Sequence, residues 1–412
     1  MRYQFPVDMT LEEVRATIAR HNERTGTKAF IEADRGDHVI FNYVVAFADS
    51  FPSPTTGTDL DREYSILREC RGLTFHKDGR ILTRKFAKFF NVNEKPETQS
   101  NLIDWSQPHV VLEKLDGSMI TPLWLGDMDD INADELRWAT KMGMTDVAKP
   151  VEAFVANNPH YARWVVGLMA SGFTPIFEWC SRQQKIVIDY PEDQLVLIAI
   201  RNNSTGLYSS HPEMLKAEQS GIAVVRALEG NAENIEQFMA EAKDLEGAEG
   251  YIIRFDDGHM AKVKGAWYVQ IHKTKDILQH EKDVLQLIFE DRIDDAKGFM
   301  DAEDRERVER YEKALALTIE QKAAELTAVA ASLTTEGMTK KEFVERVRLL
   351  TLQDQEQSIL FRVFDGGSAA DTIRSIIAKH ISTGPRVESI RHLMLGLNWN
   401  DYRDRNAVVG DD

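Results

Sequence analysis

The 412-residue chain changes its hydrophobic periodicity once, near Asp276, and this change constrains the fold more than any other feature. Upstream, short runs rich in β-branched and aromatic residues are bounded by turn residues. Residues 41–45, 73–75 (ahead of Lys77-Asp78-Gly79), 81–83 and 110–112, then 175–180, 185–188, 195–200, 251–255 and 260–264, predict strands. Two helices are expected among them, one over 11–21 with Thr10 as N-cap and one over 147–170. Downstream of Asp276 the strand signals stop. Apolar residues there recur at helical spacing, as in Val308, Tyr311, Leu315 and Ile319 followed by Lys322-Ala323-Ala324. The expected class is α+β, with an antiparallel-sheet domain over 1–280 followed by an all-helical domain over 281–412.

Composition narrows the functions available. Fifty basic residues against 67 acidic ones give a formal charge of −17, which excludes a surface that coats nucleic acid as a whole. Any polyanion site must be a local cluster of lysines and arginines. With 43% hydrophobic and 28% charged residues, the chain has an ordinary globular balance. Its longest apolar runs, such as 195–200, fall far short of the ~20 residues of a membrane span, so no membrane association is expected. Cys70 and Cys180 are too few for a disulfide framework or a four-ligand zinc site. The first residues carry no apolar leader, and a reducing cytoplasm is the expected location.

The stretch Val111-Leu112-Glu113-Lys114-Leu115-Asp116-Gly117-Ser118 ends a strand in a lysine and turns at once through Asp-Gly. A lysine held this way suits a nucleophile, although an ordinary exposed turn gives the same pattern. Further on, Glu249-Gly250-Tyr251-Ile252-Ile253, Asp257-Gly258 and Ala261-Lys262-Val263-Lys264 spell a β-hairpin. With a two-residue Asp257-Gly258 loop, Ile253 would face Lys262 and Tyr251 would face Lys264. Glu249, Lys262 and Lys264 would then share one face of the sheet, and a three-residue loop would break this register. Two lysines and a carboxylate on one face call for a counterion, and a phosphate with a divalent metal supplies one. A solvated lysine pair on an edge strand is the plainer alternative.

Together these pieces resemble the covalent nucleotidyltransferases, the superfamily of DNA ligases, RNA ligases and messenger-RNA capping enzymes. Lys114-Leu115-Asp116-Gly117-Ser118 is similar to their nucleophile motif, Phe177-Glu178-Trp179 to their third, Glu249-Gly250-Tyr251 to their fourth and Lys262-Val263-Lys264 to their fifth. Within the superfamily the text is most similar to the RNA ligase 1 type of T-even bacteriophages. Glu69-Cys70-Arg71-Gly72, Lys88-Phe89-Phe90-Asn91 ahead of Asn93-Glu94, and Trp267-Tyr268 with His272 carry that likeness, over roughly residues 40 to 300. DNA ligases and capping enzymes usually have an arginine five positions after the nucleophile, where this chain has Met119.

The resemblance implies a cytoplasmic, monomeric, ATP-dependent RNA ligase with Mg²⁺ or Mn²⁺ as cofactor, acting in RNA repair, in the infected bacterial host if the gene is a phage's. Lys114 would attack the α-phosphate of ATP. The AMP would pass to an RNA 5′-phosphate, and an RNA 3′-hydroxyl would displace it. A free lysine, with pKa ~10.4, is protonated at neutral pH, so neighbouring cations must disfavour its ammonium form, and Lys262, Lys264 and Lys141 are placed to do so. By the same resemblance Arg71, Lys88 and Lys141 contact the nucleotide's phosphates, and Glu178 binds the ribose. Tyr43 and Tyr268 align with nucleotide-site aromatics, Asp116 and Gly117 belong to the nucleotide-binding motif, and Glu249 with Asp294 would serve the metal. The helical region is similar in size to one that favours transfer RNA with a broken anticodon loop. Open alternatives are a DNA ligase or guanylyltransferase, or a non-catalytic RNA-binding protein on the same fold.

Overall fold

The computed structural model describes residues 4–44, 50–127, 130–184 and 186–403. The chain divides into two compact units, the first up to Val269 and the second from Gln270, against an expected boundary at 280. Among the described residues, twelve strands occupy the first unit. They are β1 (Phe30–Asp34), β2 (His38–Tyr43), β3 (Arg71–His76), β4 (Ile81–Thr83), β5 (Phe90–Asn91), β6 (His109–Lys114), β7 (Ser118–Leu123), β8 (Arg137–Ala139), β9 (Phe173–Cys180), β10 (Gln194–Asn202), β11 (Gly250–Phe255) and β12 (Met260–Lys264). Three four-stranded sheets result, in the orders β1-β2-β3-β4, β10-β9-β7-β8 and β5-β12-β11-β6. Every pairing among them is antiparallel except that of the two-residue β5 with β12.

The first helix, Leu11–Thr25, starts where expected because the Thr10 hydroxyl accepts the Glu13 amide at 3.1 Å. The single helix expected over 147–170 is two, Lys149–Asn157 and His160–Ala170. Pro159 has no amide hydrogen to continue the ladder and disfavours helical geometry in Asn158, so the helix breaks there. The strand expected at 185–188 is absent over 186–188, where the backbone bends, and Lys185 lies outside the described residues. The amides of Val187 and Ile188 bond a side chain, Asp116, in place of a neighbouring strand. Val45, at the end of the 41–45 segment, also lies outside them.

A buried ion cluster ties the first unit together. Glu69 accepts two hydrogen bonds from Arg84, at 2.9 and 3.1 Å, and two from Arg201, at 2.7 and 2.8 Å, with all three side chains fully buried. Burial alone would raise the Glu69 carboxyl; the two guanidinium groups outweigh it and hold the pKa below the ordinary value. In the second unit the 32-residue helix Ala302–Leu333 buries Val308, Tyr311, Leu315 and Ile319 as the spacing predicts. The remaining helices of that unit pack around the same core.

Candidate active site

The site is built on the sheet β5-β12-β11-β6. The hairpin loop has three residues, not two, since the Phe255 amide bonds the His259 carbonyl at 2.9 Å. Gly250 therefore opposes Lys264, and Ile252 opposes Lys262, one residue away from the expected register. Strict alternation would now point Glu249 away from both lysines. Gly250 prevents this. Its φ of +146° breaks the alternation, and an added Cβ would lie 2.1 Å from the Val263 carbonyl oxygen, so only glycine fits. Gly250 also opposes Lys114 on β6, so two lysines flank a position with no side chain, and the Glu249 carboxylate occupies the gap. Its Oε1 is 2.6 Å from Lys114 Nζ and 3.3 Å from Lys264 Nζ. Lys262 lies buried on the same face, with its Nζ 5.1 Å from the centre of the Phe89 ring.

Beyond Lys114 the chain turns sharply, and Asp116 fixes the turn. Its buried carboxylate accepts the Val187 and Ile188 amides at 2.7 and 2.6 Å and the Tyr268 hydroxyl at 2.7 Å. The Asp116 amide donates to Tyr190 Oη at 2.9 Å. These contacts make Asp116 and Tyr268 clamps on the loop that follows Lys114, with the Tyr268 ring 5.6 Å from Lys264 Nζ. Gly117 is required by close approach, since a Cβ there would lie 2.4 Å from the Trp179 carbonyl oxygen.

A second group of cations surrounds Tyr43 at the end of β2. Lys88 Nζ is 3.3 Å from Tyr43 Oη and 4.9 Å from its ring centre, and Lys141 Nζ is 5.3 Å from that centre. Burial would raise the Tyr43 phenol, but Arg71, Lys88 and Lys141 together bring it below its ordinary value. Burial likewise lowers the Lys88 ammonium. The Arg71 Nη1 also lies 3.7 Å from Met119 Sδ, and Met119 pairs with Glu178 across β7 and β9. Glu178 senses both groups. Desolvation pushes its carboxyl up to about 8, opposed by Lys114 and Arg71 and reinforced by Glu249 and Asp116. Lys114, Lys262 and Lys264 thus form one cationic group and Arg71, Lys88 and Lys141 a second, with Glu178 coupled to Lys114 of the first and Arg71 of the other.

Two named residues lie in the second unit. Asp294 is exposed in the first turn of the helix Ile293–Lys297 and pairs with Lys297 at 2.9 Å. His272 Nδ1 sits 3.2 Å from Asp276, one helical turn on. Among the described residues no three His, Cys, Asp or Glu side chains gather as a metal site. Glu249 still fits a hard cation, because Mg²⁺ and Mn²⁺ are held by one or two carboxylates completed by substrate phosphate oxygens. Sequence reasoning missed the loop's other anchors, Tyr190 and the 187–188 amides, which no motif spells. It also missed Lys85, buried behind Gly72, whose Nζ donates to the Gly72 carbonyl and Thr83 Oγ1, both at 2.9 Å.

With this geometry in hand, comparison with known proteins gives a consistent picture. A family model described as RNA ligase matches residues 69–271, which include the site residues above except Tyr43, His272 and Asp294. A Thermovibrio ammonificans protein named provisionally as an RNA ligase is 29% identical over 301 residues, 70% of this chain and 71% of its own length. RNA ligase 1 of bacteriophage TS2126 is 26% identical over 239 residues, 56% of this chain and 58% of its own. Among solved structures, a Naegleria gruberi RNA ligase mutant with ATP and Mn superposes with a TM-score of 0.32 at 17% identity, covering 41% of this chain and 53% of that one. The family model and the sequence matches fall on the same stretch as the four ordered motifs: over residues 69–271 the chain is similar to RNA ligases.

Proposed function

We propose that the protein joins an RNA 5′-phosphate to an RNA 3′-hydroxyl at the expense of ATP, through AMP carried on Lys114. The observation that carries this reading is the Lys114–Glu249–Lys264 triad, in which Glu249 Oε1 lies 2.6 and 3.3 Å from the two lysine Nζ atoms. Glu249 pairs with the Lys114 ammonium. Glu249 would hold the divalent cation, which would supply charge screening at the phosphate and compete with Lys114 for the carboxylate. Lys114, left beside Lys264 and Lys262, then loses its proton more readily and presents a lone pair to the α-phosphorus. The Nζ–P bond forms as the bond to pyrophosphate breaks, and Arg71, Lys88 and Lys141 take up the charge on the departing oxygens. In the second step an oxygen of the RNA 5′-phosphate attacks the same phosphorus and Lys114 leaves, regaining a proton. In the third, the 3′-hydroxyl attacks the adenylated end and AMP departs.

Asp116 and Tyr268 act by holding the Lys114 loop. The name of the Naegleria structure with ATP and Mn accords with ATP and Mg²⁺ or Mn²⁺ as the partners here. Met119, packed beneath Arg71, leaves no arginine at the position usual in DNA ligases and capping enzymes, which favours RNA over those alternatives. We assign nucleotidyl transfer to the first unit and selection of RNA, with broken transfer RNA as the first substrate to try, to the second. A monomeric, cytoplasmic enzyme completes the proposal.

The test is sealing of a 5′-phosphorylated single-stranded RNA and of a nicked anticodon stem-loop, resolved on a denaturing gel with ATP and Mg²⁺. Circular or joined product that disappears without the 5′-phosphate supports the reading. A protein that binds both RNAs yet joins neither would contradict it.

A further inference from the structure

Beside the edge strand β5 the first unit contains a cavity of about 90 Å³ that is separate from the Lys114 triad. Its walls include Phe89 and Phe90, Tyr208 and Phe255, Met260 and Lys88. At about 10–15 Å³ per water, this is space for roughly six or more waters, comparable to one planar heterocyclic ring. The lining pairs aromatic faces with cations. The Phe90 ring has Arg68, Lys88 and Lys95 within 5.0, 5.6 and 5.3 Å of its centre. Apolar and aromatic, with Lys88 on its wall beside an Arg68 paired to the Glu97 carboxylate, the cavity has the chemistry that receives a nucleobase followed by its phosphate.

Two contacts join this cavity to the active site. Lys88 reaches from the cavity wall to Tyr43 at 3.3 Å, and Phe89, half-buried at the rim, lies under Lys262 Nζ. Lys114, Gly117 and Glu178 do not line it, so it does not hold the base of a nucleotide bonded to Lys114. It lies on the side of the cations that receive the pyrophosphate. Phosphoryl transfer proceeds with entering and leaving oxygens in line. The RNA 5′-phosphate that displaces Lys114 must therefore approach along the path by which pyrophosphate departed.

We propose that this cavity binds the 5′-terminal nucleobase of the RNA whose phosphate becomes adenylated. The inference rests on the ligase reading above and deepens it to one subsite. Binding there places the 5′-phosphate beside Lys88 and in line with the Nζ–P bond, so the cavity serves the second step and leaves the first untouched.

The test fills the cavity from two of its lining positions, with Met260→Trp and Thr55→Trp. Self-adenylation of Lys114 by α-labelled ATP and sealing of a 5′-phosphorylated RNA are measured separately. A donor RNA carrying 4-thiouridine as its first nucleotide is photo-crosslinked to each protein. The expected result is adenylation within twofold of the unsubstituted protein, a tenfold or greater rise in KM for donor RNA, and a crosslink to residues 87–90 that both substitutions abolish. An unchanged donor KM with no crosslink overturns the assignment. Loss of adenylation in both variants also overturns it, by giving the cavity to ATP. Failure of the unsubstituted protein to adenylate at all would instead sink the ligase reading itself.

Discussion

Replacing Gly250 by alanine tests how the site is assembled, because this residue meets two separate costs. Its φ of +146° is one that side-chain-bearing residues rarely adopt, a strain of about 1–3 kcal/mol. The new methyl would lie 2.1 Å from the Val263 carbonyl oxygen and 2.8 Å from Lys264 Cα, both backbone atoms of the neighbouring strand that cannot swing aside. Such overpacking adds about 1–3 kcal/mol, for roughly 2–6 kcal/mol in total. At about 2 °C per kcal/mol for a unit of this size, the melting temperature should fall by roughly 4–12 °C. Two glycines separate the terms. Gly79 has φ +96° with nothing within 4 Å of an added Cβ, so alanine there meets strain alone; Gly117 meets the Trp179 carbonyl oxygen at 2.4 Å without a positive φ. Each should cost less than Gly250→Ala in calorimetry of the full chain. Parting β11 from β12 also moves Glu249 from Lys264, and a displacement near 1 Å costs on the order of 100-fold in rate. Gly250→Ala that melts no lower than Gly79→Ala and adenylates normally would refute this account of the site.

Glu69→Gln leaves two fully buried guanidinium groups without a counter-charge and should cost about 3–5 kcal/mol in urea unfolding; a loss under about 1 kcal/mol would show the cluster to be dispensable. Burial pushes the Lys85 ammonium down to about 7 from 10.5. The unfolded chain then holds more protons between those values, and Lys85 adds a cost that is complete below about pH 7 and gone above about pH 10.5. Relative to Lys85→Met, the unsubstituted protein should gain at most about 1.4 kcal/mol per pH unit across that window, and parallel stability curves would count against it. Asp116→Ala should speed hydrogen exchange at the Val187 and Ile188 amides, whereas Tyr268→Phe, which removes only the hydroxyl, should leave those amides protected while slowing adenylation. Equal exchange in all three proteins would exclude the clamp.

Composition and periodicity made the division into a β-rich and a helical part legible, because alternation at two and recurrence near 3.6 are written in consecutive residues. Lys114, Lys262 and Lys264 were readable for the same reason, each lying in a short strand, with Glu249 immediately ahead of another. The hairpin register was not. It depends on whether Asp256 joins the loop, and one residue of difference reverses every side chain, a reversal that Gly250 then undoes for Glu249. The Asp116 contacts were hidden because a residue 71 positions away supplies the nearest amide. The break at Pro159 was visible in the text and was overridden by the apolar spacing on either side.

The central claim is that Lys114 accepts AMP, and intact-protein mass spectrometry addresses it most directly. The purified chain, first stripped of bound nucleotide with pyrophosphate and Mg²⁺, is incubated with ATP and Mg²⁺, digested and mapped, beside Lys114→Ala and Glu249→Gln. The account predicts one added AMP, located on the peptide carrying Lys114, absent from the alanine variant and strongly reduced in the glutamine one. A folded protein that stays unmodified, or one that carries AMP on a different lysine, would contradict it.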